Sequence, residues 1–386
     1  MKTHVFIVNE SSFPIHLQYL FAGTGAADAD DHIGLLSDIK RVRVGDRVIF
    51  YLETKESSGI DGGFFGAFKI ADLNPIVIQD SANPTYLEQQ LGKKLIYRVR
   101  LEPADVYSRG VVEYQALDNL PVYAKEILWS LIYRKLKGQR GCTPLTIEES
   151  NRLMDMIQRA NNNQPSRYAN TDGFTYNAAS QQIEIVPNGR RQYAGVINPA
   201  TPLIPQILQL ADVGRAFEVN LQAYFTENAG LGVNQSLDAI TGSANQMIWL
   251  GNEVKCGVGM RSIDVFSVLN LPRDIRQHRI IELKDEQVSP TIGRQLFKYV
   301  NWTNQYIDGA INANIQPIIV AREIPNIGNN RLKRKKLEAG GQPTSFWQEI
   351  RDAFNAFNVR NLAMPILYYE YSFHNGNIVF TQVQYA

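Results

Sequence analysis

The residues able to do chemistry gather between Glu218 and Tyr299 of the 386-residue sequence. Asp264 lies in the run Arg261-Ser262-Ile263-Asp264-Val265-Phe266, and Ile280-Ile281-Glu282-Leu283-Lys284 follows it. Both runs are apolar and β-branched enough to read as strands. Alternate side chains of a strand share a face, so Glu282 and Lys284 point one way while Ile281 and Leu283 enter the opposite packing layer. Charges set into an apolar strand need partners, and Asp264 on a neighbouring strand completes the set. Two carboxylates and the Leu283 carbonyl are hard oxygen donors, suited to Mg²⁺ or Mn²⁺ with water filling the other positions. Such an ion lowers the pKa of a water and offsets charge building on a phosphate. The Lys284 ammonium would orient that water or stabilise the transition state. The expected reaction is phosphodiester hydrolysis without a covalent enzyme intermediate, with Glu253 as a further candidate ligand.

Other chemistries have less to work with. Two cysteines, Cys142 and Cys256, are too few for a disulfide framework or a cysteine-based zinc site, and the five histidines lack the close spacing of metal ligands. A reduced, cytoplasmic compartment is the expectation. The opening MKTHVFIVNESS turns polar too soon for a signal peptide, and no apolar run approaches the roughly 20 residues of a membrane span. Lys and Arg number 39 against 38 Asp and Glu, which excludes an acidic tail or a histone-like basic body. Residues 131–200 nevertheless carry nine basic and five acidic side chains, so positive charge concentrates at the join between two halves.

Those halves read differently. Four short strands, His4–Asn9, Arg47–Glu53, Phe64–Ala71 and Lys94–Leu101, are separated by turn residues such as Gly45-Asp46 and Gly62-Gly63, the pattern of a small barrel. Tyr123–Lys137 has helical spacing, and Thr146 with Glu149 forms a capping box that opens a helix through Arg159. Residues 161–205 are polar and Asn/Gln-rich, with a possible hairpin at Phe174–Val186. After them helix Ala211–Asn228, strands at Met247–Lys255, Arg261–Leu269 and Arg279–Lys284, helix Pro290–Tyr306, strand Gln316–Ala321, helix Phe346–Phe357 and two late strands suggest an α/β mixed sheet. The expected division is 1–160, a linker region 161–205, and 206–386.

On these residues the second half resembles the PD-(D/E)XK nuclease superfamily, in its RecB-like and mismatch-endonuclease branch, over roughly residues 211–325. The resemblance implies that Gln295 and Tyr299, at i and i+4 of the following helix, line the active site and touch the scissile phosphate or its water. It also implies that Glu218 is the acidic group of the first core helix and a metal ligand beside Asp264, Glu282 and the Leu283 carbonyl. Asp285 and Glu286 depart from the pattern, since basic residues often follow the lysine in that branch.

The first 125 residues resemble the EVE group of PUA-like barrels through His4–Asn9, Val44–Tyr51, Gly62–Phe68 and Tyr97–Arg100. That implies a pocket for a flipped, often methylated base. Such a base needs aromatic faces and a few polar groups, and Asn9, Tyr51, Phe64 and Phe65 are the candidates. Arg134, Lys135 and Lys137, with Arg331, Lys333, Arg334, Lys335 and Lys336, are candidates for the DNA backbone. Together the halves resemble a modification-dependent restriction endonuclease, cutting double-stranded DNA as a homodimer. A repair nuclease for mismatched or branched DNA and a non-hydrolytic nucleic-acid-binding protein are the alternatives.

Overall fold

The computed structural model describes residues 2–25, 29–71, 76–78, 86–118, 141–195, 203–213, 217–256, 261–289, 291–324, 352–358 and 363–384. Two compact units divide the chain, Met1–Thr201 and Pro202–Ala386. The expected helix Tyr123–Lys137, with Arg134, Lys135 and Lys137, lies outside the described residues, as does the basic run Arg331 to Lys336.

The first unit is built on one curled sheet. Its strands are β1 (Thr3–Val8), β2 (Phe21–Thr24), β3 (Arg47–Leu52), β4 (Gly63–Ile70), β5 (Ile76–Ile78), β6 (Tyr97–Pro103), β7 (Val111–Val112) and β8 (Cys142–Leu145). The hydrogen-bonded order is β2-β6-β4-β3-β1-β8, with β5 on β6 and β7 on β4. Only β1 and β3 run parallel among these pairs. The sheet curls as a half-barrel, and its two ends approach: a Cβ on Gly141, one residue before β8, would stand 1.9 Å from the Thr24 hydroxyl oxygen of β2. Glycine is required there because any side chain would force the edges apart.

Helices α1 (Phe13–Tyr19), α2 (Ala29–Lys40), α3 (Glu88–Leu91), α4 (Glu113–Asp118) and α5 (Ile147–Ala160) flank this sheet. The capping box forms as the sequence predicts: Glu149 N–H donates to Thr146 Oγ1 at 3.2 Å, and Thr146 N–H to Glu149 Oε2 at 3.0 Å. Such a cap contributes about 1 kcal/mol. Leu153, Met154 and Ile157 of α5 then pack on Val5, Ile49 and Phe64. Residues 161–195 carry a hairpin, β9 (Gly173–Asn177) and β10 (Gln182–Val186). Its Phe174 and Tyr176 are buried, Tyr176 5.1 Å from the Phe13 ring of α1, so apolar burial draws this polar stretch onto the first unit.

The second unit is a six-stranded mixed sheet in the order β11-β12-β13-β14-β15-β16. These strands are β11 (Met247–Cys256), β12 (Arg261–Leu271), β13 (Ile275–Gln287), β14 (Ile315–Glu323), β15 (Leu367–His374) and β16 (Asn377–Val383). Its helices are α6 (Leu203–Val213), α7 (Phe217–Asn228), α8 (Gln235–Thr241) and α9 (Ile292–Tyr306). Residues 352–358 are also helical. The middle strands β13, β14 and β15 are parallel, and the rest pair antiparallel. Parallel neighbours need a crossover, and α9 supplies it between β13 and β14. Ile280, Ile281, Leu283, Ile318, Ile319 and Val320 are completely buried, as strands covered on both faces require.

Candidate active site

The charged residues meet where β12 and β13 part. Their antiparallel ladder ends at Val265↔Ile281, and one further step along that register sets Asp264 opposite Glu282. In place of the next ladder bond, the Leu283 N–H donates to Asp264 Oδ2 at 2.8 Å. A side chain thus takes the acceptor role that the neighbouring backbone has given up. The flanking pairs Asn252↔Val265 and Val254↔Ile263 likewise set Glu253 of β11 opposite Asp264.

Glu282 and Lys284 share a face, as their spacing requires, and touch: Lys284 Nζ is 2.9 Å from Glu282 Oε1. The same ammonium donates to the Leu283 carbonyl at 2.7 Å and stands 3.9 Å from Asp264 Oδ2 and 3.6 Å from Glu218 Oε1 on α7. Three carboxylates therefore surround one ammonium. Burial pushes the Glu282 carboxyl up to about 7 against the pull of Lys284. Burial and the Glu282 charge raise Asp264 well above the usual carboxylate range, and burial raises Glu218 as well. Burial alone would lower the Lys284 ammonium, but the surrounding carboxylates outweigh it and raise its pKa.

The helix α9 reaches in through residues one turn apart. Gln295 Nε2 is 2.6 Å from Glu282 Oε1 and 2.7 Å from the Tyr299 hydroxyl, which donates to the Ser262 carbonyl at 2.7 Å. Gln295 and Tyr299 thus form a strut from β12 to Glu282, and their polar contacts go to protein groups. Sequence reading missed Gln222 and Ser262. Gln222 donates to the Asp264 carbonyl at 2.9 Å and to Glu253 Oε1 at 3.1 Å, and Ser262 donates to Glu253 Oε2 at 2.6 Å. The signals were available: Gln222 lies four residues after Glu218 on α7, and Ser262 two before Asp264 on β12.

A divalent cation fits the donors present. Glu282 Oε2 is buried with no hydrogen-bond partner, and a buried carboxylate oxygen without a donor is costly. Asp264, Glu282 and the Leu283 carbonyl supply the oxygens, with Glu218 at the rim. Three carboxylates against one ammonium leave a formal excess of two negative charges for such an ion to offset. Among the described residues, no three His, Cys, Asp or Glu groups stand together in the arrangement of a metal site.

Of the proposed base-reading residues, only Tyr51 and Phe64 are brought together. Asn9 lies in the turn between β1 and α1, its Oδ1 accepting from Ser12 N–H at 2.9 Å. Tyr51 and Phe64 pack ring to ring at 5.0 Å in the core under α5, and the Tyr51 hydroxyl donates to Glu113 at 2.6 Å. Phe65 points from the other face of β4 toward Phe13 and Tyr176, at 5.5 and 5.6 Å.

No protein-family profile and no curated protein matches the chain. Several solved chains are similar over part of it, among them the following two. Human THYN1 in complex with DNA containing 5-methylcytosine is 10% identical, with a TM-score of 0.30, and covers 41% of this chain and 98% of that one. The DUF55 domain of human thymocyte nuclear protein 1 is 12% identical, with a TM-score of 0.28, and covers 40% and 98%. Both are EVE/PUA-like domains. Scores this low do not establish a shared fold, and the architecture of the first unit rests on its own strand order.

Proposed function

We propose that the second unit hydrolyses phosphodiester bonds in DNA with Mg²⁺ or Mn²⁺, as a PD-(D/E)XK-type nuclease does, and that the first unit selects DNA carrying a modified base. The observation that carries this reading is the partnerless buried Glu282 Oε2, set beside Asp264 within a group of carboxylates that one lysine does not neutralise. A buried cluster so far from its ordinary protonation is a candidate functional site.

A bound divalent ion would supply an acidified water and neutralise charge on the phosphate. Asp264, Glu282 and the Leu283 carbonyl would hold it. Lys284 would present its ammonium toward the attacking water or a phosphate oxygen. Gln295 and Tyr299 hold the Glu282 carboxylate at a fixed orientation. Selection of a modified base is supported by the curled sheet and by the runs that resemble EVE-type barrels. A second copy of the chain would deliver the second cut of a double-strand break.

The test compares duplexes with and without modified cytosine, incubated with the protein and Mg²⁺ or Mn²⁺. Cleavage of the modified duplex is expected, with Glu282→Gln and Asp264→Asn each reducing it about a thousandfold. Cleavage that survives both substitutions would exclude this site. Better cleavage of mismatched or branched unmodified DNA would assign a repair substrate instead. One observation favours a binding protein without hydrolysis: Lys284 already occupies Glu282 Oε1 and the Leu283 carbonyl. That reading predicts binding unchanged by metal and by Glu282→Gln, with no cleavage of any substrate.

A further inference from the structure

Outside the carboxylate cluster, the first unit contains a pocket of about 650 Å³. β6 lines it with Arg100 and Leu101, beside Leu20 at the end of α1. Its walls are the two turns that flank the β9–β10 hairpin. Three arginines, Arg100, Arg190 and Arg191, line it together with Tyr19 and Tyr193, and among the described residues no carboxylate does.

These walls are held in place. Both Asp172 oxygens are occupied, Oδ1 by the Asn188 N–H at 3.0 Å and Oδ2 by the Ala169 N–H at 2.8 Å, which ties one turn to the other. Arg190 donates through its backbone to the Thr171 carbonyl at 3.0 Å and through its guanidinium to the Asn170 carbonyl at 2.7 Å. The Arg191 guanidinium donates to the Tyr19 hydroxyl at 3.1 Å and lies 5.5 Å from that ring's centre. Each of these bonds uses one corner of a guanidinium that has five N–H donors, so both arginines keep donors for a ligand. Gly189 and Gly173 pack so closely that a Cβ on Gly173 would stand 2.4 Å from the Gly189 carbonyl oxygen.

We propose that this pocket binds one nucleotide, its phosphate on the arginines and its base against the tyrosines. The charge selects an anion, and guanidinium groups match phosphate oxygens in pairs. The aromatic wall selects a ligand with a flat face, which a bare inorganic ion lacks. The volume falls within the range of about 300–1,000 Å³ typical of small-molecule sites. The nucleotide is either a unit of a nucleic-acid strand or a free nucleoside monophosphate. The site uses residues of the first unit alone and does not depend on the hydrolytic reading.

The experiment titrates full-length protein, in EDTA so that no metal-dependent cutting occurs, into a fluorescent single-stranded oligonucleotide at several salt concentrations. Arg190→Ala/Arg191→Ala is expected to weaken binding about tenfold and to flatten the slope of log affinity against log salt by roughly the two lost contacts. Arg190→Lys/Arg191→Lys is expected to keep the slope while losing part of the affinity, an outcome that damaged folding would not give. Competition by a nucleoside monophosphate, measured in parallel with inorganic phosphate, identifies the source. If the monophosphate binds and the alanine pair abolishes it while oligonucleotide binding is unchanged, the ligand is the free nucleotide. If neither ligand responds to the alanine pair in folded protein, the proposal is overturned. Unchanged cleavage, or its absence, bears on the second unit only.

Discussion

Asp46 in the first unit and Glu282 in the second are both carboxylates taken almost completely out of water, and the protein treats them in opposite ways. Asp46 accepts from His4 Nε2 at 2.9 Å and from the Lys2 and Arg43 N–H groups at 3.1 Å each. Burial would raise its pKa, but the bond to His4, the His4 charge and Lys2 bring it below the ordinary value. Glu282 has one oxygen shared by Lys284 and Gln295 and another with no donor, and its pKa rises to about 7. The first carboxylate ties β1 to the start of β3 and belongs to the scaffold. The second is held in a costly state, which the fold tolerates where a ligand can relieve it. Burial is common to both, so the supply of donors is what separates a structural carboxylate from a candidate catalytic one.

The sharpest way to break this comparison is to remove each charge and measure unfolding in urea. Asp46→Ala leaves His4 and two N–H groups without their acceptor and is expected to cost about 3 kcal/mol. Glu282→Gln removes an unfavourable buried charge and is expected to raise the unfolding midpoint. Loss of stability of similar size in both would erase the distinction.

Metal sharpens it next. At a hundredfold excess over its dissociation constant, Mg²⁺ is expected to stabilise the protein by about 2.7 kcal/mol, and EDTA to remove that gain. Calorimetry should show the same gain in Asp46→Asn, while Glu282→Gln and Asp264→Asn abolish it.

The histidines give a pH test within the first unit. His16 is buried, donates through Nδ1 to the Phe21 carbonyl at 3.0 Å, and has its pKa lowered from 6.5 to about 3 by burial, then by Lys93 and Arg98. The unfolded chain binds a proton that the folded chain refuses. Stability from this group is thus complete above pH 6.5 and falls as the pH drops toward 3. His16→Asn should reduce the difference between urea midpoints at neutral and acid pH. An unchanged difference would assign the acid sensitivity elsewhere, for example to His278, which burial lowers to about 4.

Tyr299→Phe has the smallest expected effect. It removes the bond to the Ser262 carbonyl and one partner of Gln295, at a cost of about 1 kcal/mol. A positioning role predicts about a tenfold lower kcat with KM unchanged, since the tyrosine would act through Glu282 and not on bound substrate. A raised KM at constant kcat would place it against the substrate.

Parts of the molecule that depend on local spacing were legible from the residues. The Thr146–Glu149 box, the shared face of Glu282 and Lys284, and the stacking of Gln295 over Tyr299 follow from the periods of helix and strand. Short elements such as α1 and α8 escaped notice, because one or two turns leave too little periodicity to detect. Phe64 and Phe65 show the limit from the other side. Adjacent strand residues must face opposite ways, which was readable, but that both faces of this strand are buried was not.

The sequence by itself determined which groups could act together along one strand or one helix, because backbone geometry sets those distances. It also determined that cysteine frameworks were unavailable. Tertiary structure alone decided that Asp264 stands opposite Glu282, that Gln222 and Ser262 brace the site, and that the turns flanking one hairpin meet β6 at a pocket with three arginines. Those placements depend on strand register and on burial of apolar surface across the fold, and neither is encoded in the spacing of the residues concerned.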